Sequence, residues 1–402
     1  MSETLLSKIK RKIIKVKNFA LNIITESFCF LNLLNKHNFF YPRDLIKNKN
    51  DIDNNSIVFL KKLSQFYISS HNQKIKHLGL WDKIFNDSKH KQDNRYLGCE
   101  SELLKYDHEL LHKSLIGKNF VELKFLLDHF GSLPISQGLS TAIRVKAKNQ
   151  ELLEAYKTNN LFFSNNKAKP NNLCIKNNNN FGLQGIQVKK NRFIPLAGCR
   201  SFSNASKINC ILNKYYNNIL KKTVVEIGAG YGLVPYYLYS QLKFKGIYKI
   251  VDLPIISVLS AYFLYKSLKN IQIIFAHELK NKKYLDFKKK NQKRIFIIDP
   301  ITYYKMNKKN INVTFNSDSF PELSLSSLKK YLKNISNGKN AYFFCVNHEL
   351  EYKYADSRKI IHQHLNVDSV IRNNFRNVYS LVSKKKHLYK KPHYFESTYY
   401  IK

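Results

Sequence analysis

The chain has 402 residues, 68 of them Lys or Arg against 28 Asp or Glu, for a formal net charge of +40, and it is 44% hydrophobic and 13% aromatic. That apolar content excludes a disordered chain, and the length exceeds a single small core, so two lobes are expected. The charge invites a nucleic-acid reading, but only 10 of the basic residues are Arg; abundant Lys, Asn, Ile, Tyr and Phe share AT-rich codons, and phosphate readers favour the two-bond fork of Arg.

Lys8–Lys17 is basic and amphipathic. The apolar stretch Phe19–Leu34 is broken by Asn22 and Glu26 and falls short of the roughly 20 residues that a membrane span needs. With no secretory signal, the expected location is cytoplasmic, with peripheral contact at the inner face of a membrane, or docking on the protein body, as the two roles of this segment. Residues 1–164 read as a helical N-terminal region, with apolar spacings of three and four in Ile57–Tyr67, Leu103–Leu115 and Phe120–Phe130. Gly131 to Pro134 punctuates the last of these. An Asn-rich linker is expected at 165–180. The six cysteines have no CxxC pair, which argues against zinc and disulfides.

From residue 181 the period changes. Short strands are expected at Phe181–Val188 and Arg192–Leu196, a helix at Ser203–Leu220, then alternating strands and helices, the pattern of a doubly wound α/β sheet. The strongest element is Thr223-Val224-Val225-Glu226-Ile227-Gly228-Ala229-Gly230-Tyr231-Gly232, followed by an amphipathic stretch. This is strand, tight turn, helix; glycines let the backbone pass close to a ligand, and the helix start adds a positive dipole end. A second apolar strand, Tyr248–Val251, ends in Asp252-Leu253-Pro254, with the acid 20 residues after Gly232. A carboxylate there is placed to take ribose hydroxyls, or else to cap the next helix. A dinucleotide turn spaces its glycines Gly-x-Gly-x-x-Gly around a pyrophosphate. Here the spacing is Gly-x-Gly-x-Gly with Glu226 two residues upstream, which favours a phosphate-free nucleoside ligand. Further strands are expected at Ile271–Ala276 (the third), Arg294–Asp299, Ile311–Phe315 and Ala341–Val346, with a final antiparallel pair at Asn377–Lys384 and Tyr394–Ile401.

The Glu-Ile-Gly-Ala-Gly-Tyr-Gly string resembles the first motif of class I methyltransferases. Together with Ile250–Pro254, Asn316–Leu323 and Phe343–Asn347, it resembles the sugar O-methyltransferase family, over about residues 181–402. One departure is Leu323, where family members often carry Met. The resemblance implies a Rossmann-like core at 181–402, mostly parallel with an antiparallel C-terminal strand, S-adenosyl-L-methionine as cofactor, and a sugar, nucleotide-sugar or glycan acceptor in surface-polysaccharide biosynthesis. It points to Glu226, Gly228, Gly230, Gly232, Asp252 and Leu253 as the cofactor-binding set.

Methyl transfer to a hydroxyl calls for a base at the carboxyl ends of the strands. Glu322, His348 and Asp318 are the candidates, with helix capping by Asp318, Ser319 and Glu322 as the bland alternative. His277 is expected to face the adenine, and His362 and His364 to sit in a helix. Arg192 and Arg200 could hold an anionic group of the acceptor. Rival readings are an RNA or DNA methyltransferase, for which Asp299-Pro300-Ile301-Thr302 and Cys345 are the nearest features, a non-catalytic scaffold, and a nicotinamide oxidoreductase. No spacing specifies a metal.

Overall fold

The computed structural model describes residues 52–71, 110–132, 173–176, 181, 183, 185–189, 192–217, 222–280, 293–355, 361–387 and 393–402. The basic segment near the N-terminus lies outside these residues. Among the described residues no helix is long and apolar enough to cross a membrane.

An eight-stranded sheet organises the chain. Its strands are β4 (Thr223–Ile227), β5 (Ile247–Val251), β6 (Ile271–Phe275), β7 (Lys293–Ile298), β8 (Val313–Ser317), β9 (Ala341–His348), β12 (Tyr379–Lys386) and β13 (Tyr394–Ile401). Their spatial order is β12-β13-β9-β8-β4-β5-β7-β6. All neighbours pair in parallel except β13, which runs antiparallel to both β9 and β12. This is the Rossmann-like arrangement with an antiparallel C-terminal strand that the sequence led us to expect. A smaller sheet joins β1 (Ile175–Lys176), β3 (Arg192–Pro195) and β2 (Gly185–Lys189), so the Asn-rich connection contains a strand. A hairpin, β10 (Tyr352–Ala355) with β11 (Ile361–His364), follows β9.

Both faces of the large sheet are covered, which is why its central strands read as unbroken apolar runs. Alternate residues go to opposite sides: Val224, Ile250 and Phe344 to one core, Val225, Val251 and Phe343 to the other. The first core is closed by α4 (Leu233–Ser240) and α5 (Pro254–Ser267), the second by α7 (Leu325–Ile335) and α8 (Val367–Phe375). The N-terminal helices α1 (Asn54–His71) and α2 (Phe120–Asp128) join the first core. Phe59 stacks on Tyr265 of α5 at 3.9 Å, Lys62 bonds Glu278 at 2.9 Å, and the Tyr262 hydroxyl donates to Asp128 at 2.7 Å. The aromatic ring pair brings apolar burial, the Tyr262–Asp128 bond fixes α2 against α5, and the Lys62–Glu278 pair ties α1 to the 3-10 helix after β6.

One strand expectation holds and two helix expectations need correction. The third strand is present as β6, at the sheet edge, with β7 between it and β5. The helix α3 spans Gly198–Tyr215, starting five residues earlier than expected. His362 and His364 belong to strand β11, and the helix lies beyond them at α8.

Two buried cations carry a cost. Lys249 on β5 reaches the Met306 sulfur at 3.5 Å, and burial pulls its ammonium down to about 8; Lys308 is also pulled to about 8, by burial first and by Lys249 second. A lysine whose folded pKa is depressed weakens the fold below that pKa, and the penalty fades as pH rises from 8 towards 10.5. Lys249→Met is therefore expected to stabilise the protein by about 2 kcal/mol at pH 7. Urea unfolding at pH 7 and pH 9.5 checks this: the gain should shrink at the higher pH.

Candidate active site

The glycine turn connects β4 to α4. All three glycines are left-handed, with φ of 78° at Gly228, 57° at Gly230 and 91° at Gly232. A side chain at Gly228 would overlap Ser319 Oγ, and one at Gly232 would meet Leu264 at 3.0 Å. Strain and steric overlap act together at Gly228, so Gly228→Ala should cost more than the ~1–2 kcal/mol of the backbone conformation alone. Thermal melting tests this, with a drop of only a degree or two as the contrary result.

Asp252 follows β5 and turns back onto this loop. Its Oδ2 accepts the Gly230 N–H at 3.1 Å and its Oδ1 the Leu253 N–H at 2.8 Å. It does not cap α5, whose N-cap is Leu253. Glu226, on β4 and 3% exposed, accepts the Tyr248 hydroxyl at 2.9 Å. Burial pushes its carboxyl up to about 8, eased by the Tyr248 bond and reinforced by Asp252; burial likewise raises Asp252 to about 7 against its backbone N–H donors. Two carboxyl groups held above their usual range in one cavity make a place for positive charge.

The cavity lies at the carboxyl ends of β4, β5 and β8. Glu226, Gly228, Gly230, Asp252 and Leu253 line it from one side, Asp318 and Glu322 from another, and Arg200, Ser201 and Asn204 of α3 from a third. Gly232 is not in the wall; it starts α4 behind the turn. Asp318 is left-handed at φ 69°, which is rare outside glycine and is held in place by its surroundings: its N–H reaches Val346 O at 3.2 Å and Asn347 Oδ1 at 2.9 Å. The helix-cap alternative fails here. Ser319 makes no side-chain cap, and α7 is capped by Ser324, which accepts from Ser327 N–H.

His348 does not line the cavity. It is buried, with Nδ1 near Leu350 O at 3.2 Å and Nε2 bonded to His364 Nδ1 at 3.1 Å. His277 is also outside, stacked on Phe275 in the short 3-10 helix after β6. Arg192 lies on β3 away from the cavity, whereas Arg200 is in its wall. Asp299 caps the short helix α6 (Pro300–Lys305) through Thr302, and Cys345 is buried in β9 with its thiol pushed up by burial. Both features of the nucleic-acid reading thus have structural roles. Among the described residues no group of three or more His, Cys, Asp or Glu could hold a metal ion.

Sequence reasoning missed Ser201, Asn204 and Tyr331 as wall residues. An earlier start for α3 would have brought in Ser201; Asn204, already inside the expected helix, and Tyr331, on an amphipathic helix, give no signal that separates them from packing positions.

No family model matches the chain, and no curated protein matches it. Among solved structures it is similar to 1,6-didemethyltoxoflavin-N1-methyltransferase from Burkholderia thailandensis, at 14% identity over 50% of this chain and 78% of that one, with a TM-score of 0.31. Mitomycin 7-O-methyltransferase is 10% identical over 52% and 56% of the two chains, with a TM-score of 0.32. Geranyl diphosphate C-methyltransferase from Streptomyces coelicolor A3(2) is 9% identical over 51% and 82%, with a TM-score of 0.31. Similarities this distant carry no assignment of acceptor or cofactor.

Proposed function

We propose that the protein is an S-adenosyl-L-methionine-dependent O-methyltransferase acting on a hydroxyl of a sugar, nucleotide-sugar or glycan. The observation that carries this reading is the joining, in one cavity, of a left-handed glycine turn closed by Asp252 with a strained carboxylate, Asp318, on the opposite wall. The residues fit the cofactor: Gly228 and Gly230 leave the backbone bare, Asp252 supplies a carboxylate at the ribose position, and Glu226 offers negative charge to its cationic end. The cofactor would supply an electrophilic methyl group on a sulfonium.

The chain's own work is to bind, orient and deprotonate. Ser201, Asn204, Ser317 and Glu322 are among the wall donors and acceptors suited to a polyol. Asp318 is the base we favour, because its position is set by both backbone and side-chain bonds; Glu322, beside it in the wall, is the second choice. His348 would need to break its bond to His364 to serve.

The test is transfer of a radiolabelled methyl group from S-adenosylmethionine to a panel of nucleotide sugars, free glycans and an unmodified RNA. Labelling of a carbohydrate hydroxyl, with none of the RNA, is expected. Labelling of RNA alone would replace this reading with the nucleic-acid one.

A further inference from the structure

We infer that Asn316 and Asn347 are positioning residues that lock Asp318 to the glycine turn, so that the two ends of the cavity form one rigid unit. This rests on the proposed cofactor reading. Asn316 is 0% exposed and Asn347 5%, and neither lines the cavity. A buried primary amide is costly unless its donors and acceptor are used. Here they connect end to end. Asn316 Nδ2 donates to the carbonyl of Ile227, the last residue of β4, at 2.8 Å, and also to Ser319 Oγ. Asn316 Oδ1 accepts from Asn347 Nδ2 at 3.1 Å, and Asn347 Oδ1 accepts the Asp318 N–H at 2.9 Å.

The path therefore runs from the strand that enters the turn, across β8, to β9, and back to the residue that follows β8. Ser319 reinforces the turn end. Its hydroxyl also reaches Ile227 O, at 3.3 Å, directly under Gly228, where a Cβ would not fit. Phe315, Cys345 and Val346 beside these asparagines are apolar and buried, while Ser317 and His348 follow them at the strand ends. An apolar pair would fill these buried positions without leaving any amide to satisfy, so the amides serve something other than burial. A satisfied buried network rigidifies what it connects, and what it connects is a left-handed Asp318 that needs external support. Cutting the network at Asn347 should therefore disturb the turn without touching any ligand.

The experiment titrates S-adenosylhomocysteine calorimetrically into wild type, Asn347→Ala, Asp318→Gly and the double variant. Leu332→Ala serves as a core-packing control, since Leu332 is 0% exposed on α7 and outside the cavity. Asn347→Ala should weaken binding about tenfold, while Leu332→Ala stays within about twofold. In the Asp318→Gly background the loss from Asn347→Ala should shrink to under about threefold, because glycine holds the left-handed conformation unaided. If Asn347→Ala does not fold, Asn316→Ser cuts the same path and takes its place. Wild-type affinity in the Asn variant, or an equal loss in both backgrounds, overturns the linkage alone. A folded wild type that binds no S-adenosylhomocysteine overturns the cofactor reading, and the linkage with it.

Discussion

Asp318→Asn is expected to lower methyl transfer by about three orders of magnitude while leaving cofactor affinity within about threefold. Asparagine is nearly isosteric and tolerates the left-handed conformation, so the 69° φ and the bonds to Val346 and Asn347 can persist. What is lost is the proton acceptor. A loss confined to kcat identifies a group that acts on the reacting oxygen, whereas a loss confined to the acceptor's KM marks a binding contact. The partner variant Asp318→Gly should be as inactive but no less stable than wild type, because relief of ~1–2 kcal/mol of strain offsets the entropy of glycine. A protein that sacrifices stability at one residue to place a carboxylate in a cavity should show this trade. An active Asp318→Asn enzyme would move the base to Glu322.

The second large effect is on pH. With Glu226 held up to about 8 and Asp252 to about 7 by burial, the ligand-free cavity keeps protons at neutral pH that free carboxylates would have lost. A cationic ligand favours the ionised forms, so binding releases protons and affinity rises with pH. Between pH 8 and pH 6 the affinity for S-adenosylmethionine should fall by about 500-fold, roughly 50-fold from protonating Glu226 and roughly tenfold from protonating Asp252. S-adenosylhomocysteine, which lacks the sulfonium charge, should show a shallower slope. In the ligand-free fold the contribution of these two carboxyls to stability is fully present in acid and is lost as pH rises to about 8, because the native state holds protons that the unfolded chain has released. Calorimetry in buffers of different ionisation enthalpy counts the protons directly. Proton uptake, or affinity flat across this range, would contradict the account.

Much of the sheet was legible because its signals are local. The run Thr223–Ile227 into three glycines could only be strand and tight turn, and Asp252 follows its strand at a spacing set by one intervening helix. What stayed illegible was non-local. Ile271–Phe275 and Lys293–Ile298 are equally good apolar strands, and nothing in either says which pairs with β5; the sheet places the later one inside and leaves the earlier at the edge. His348 was attractive as a histidine at a strand end. Its bond to His364 depends on a hairpin whose second strand reads as helix, because Ile361–His364 is short and continues into α8. Arg200 and Arg192 were equal candidates for an anionic group, and nothing local separated them, since polar Ser201 and Ser203 hid the first turn of α3 that puts Arg200 in the wall. Asn347 ends the apolar run of β9, and Asn316 lies beside it on β8 with no accessible surface, as if both were errors in the pattern. Such breaks in local consistency tend to mark functional sites.

The central claim is that the glycine turn and Asp252 hold S-adenosylmethionine. Its most direct test is calorimetric titration of that ligand into wild type and Asp252→Ala at pH 8, with the fold of both checked by circular dichroism. The account predicts one site in wild type with a Kd on the order of micromolar, about −8 kcal/mol, and a loss of at least about 100-fold in the variant. A folded wild type that takes up no ligand, or a variant that binds as well as wild type, would contradict it.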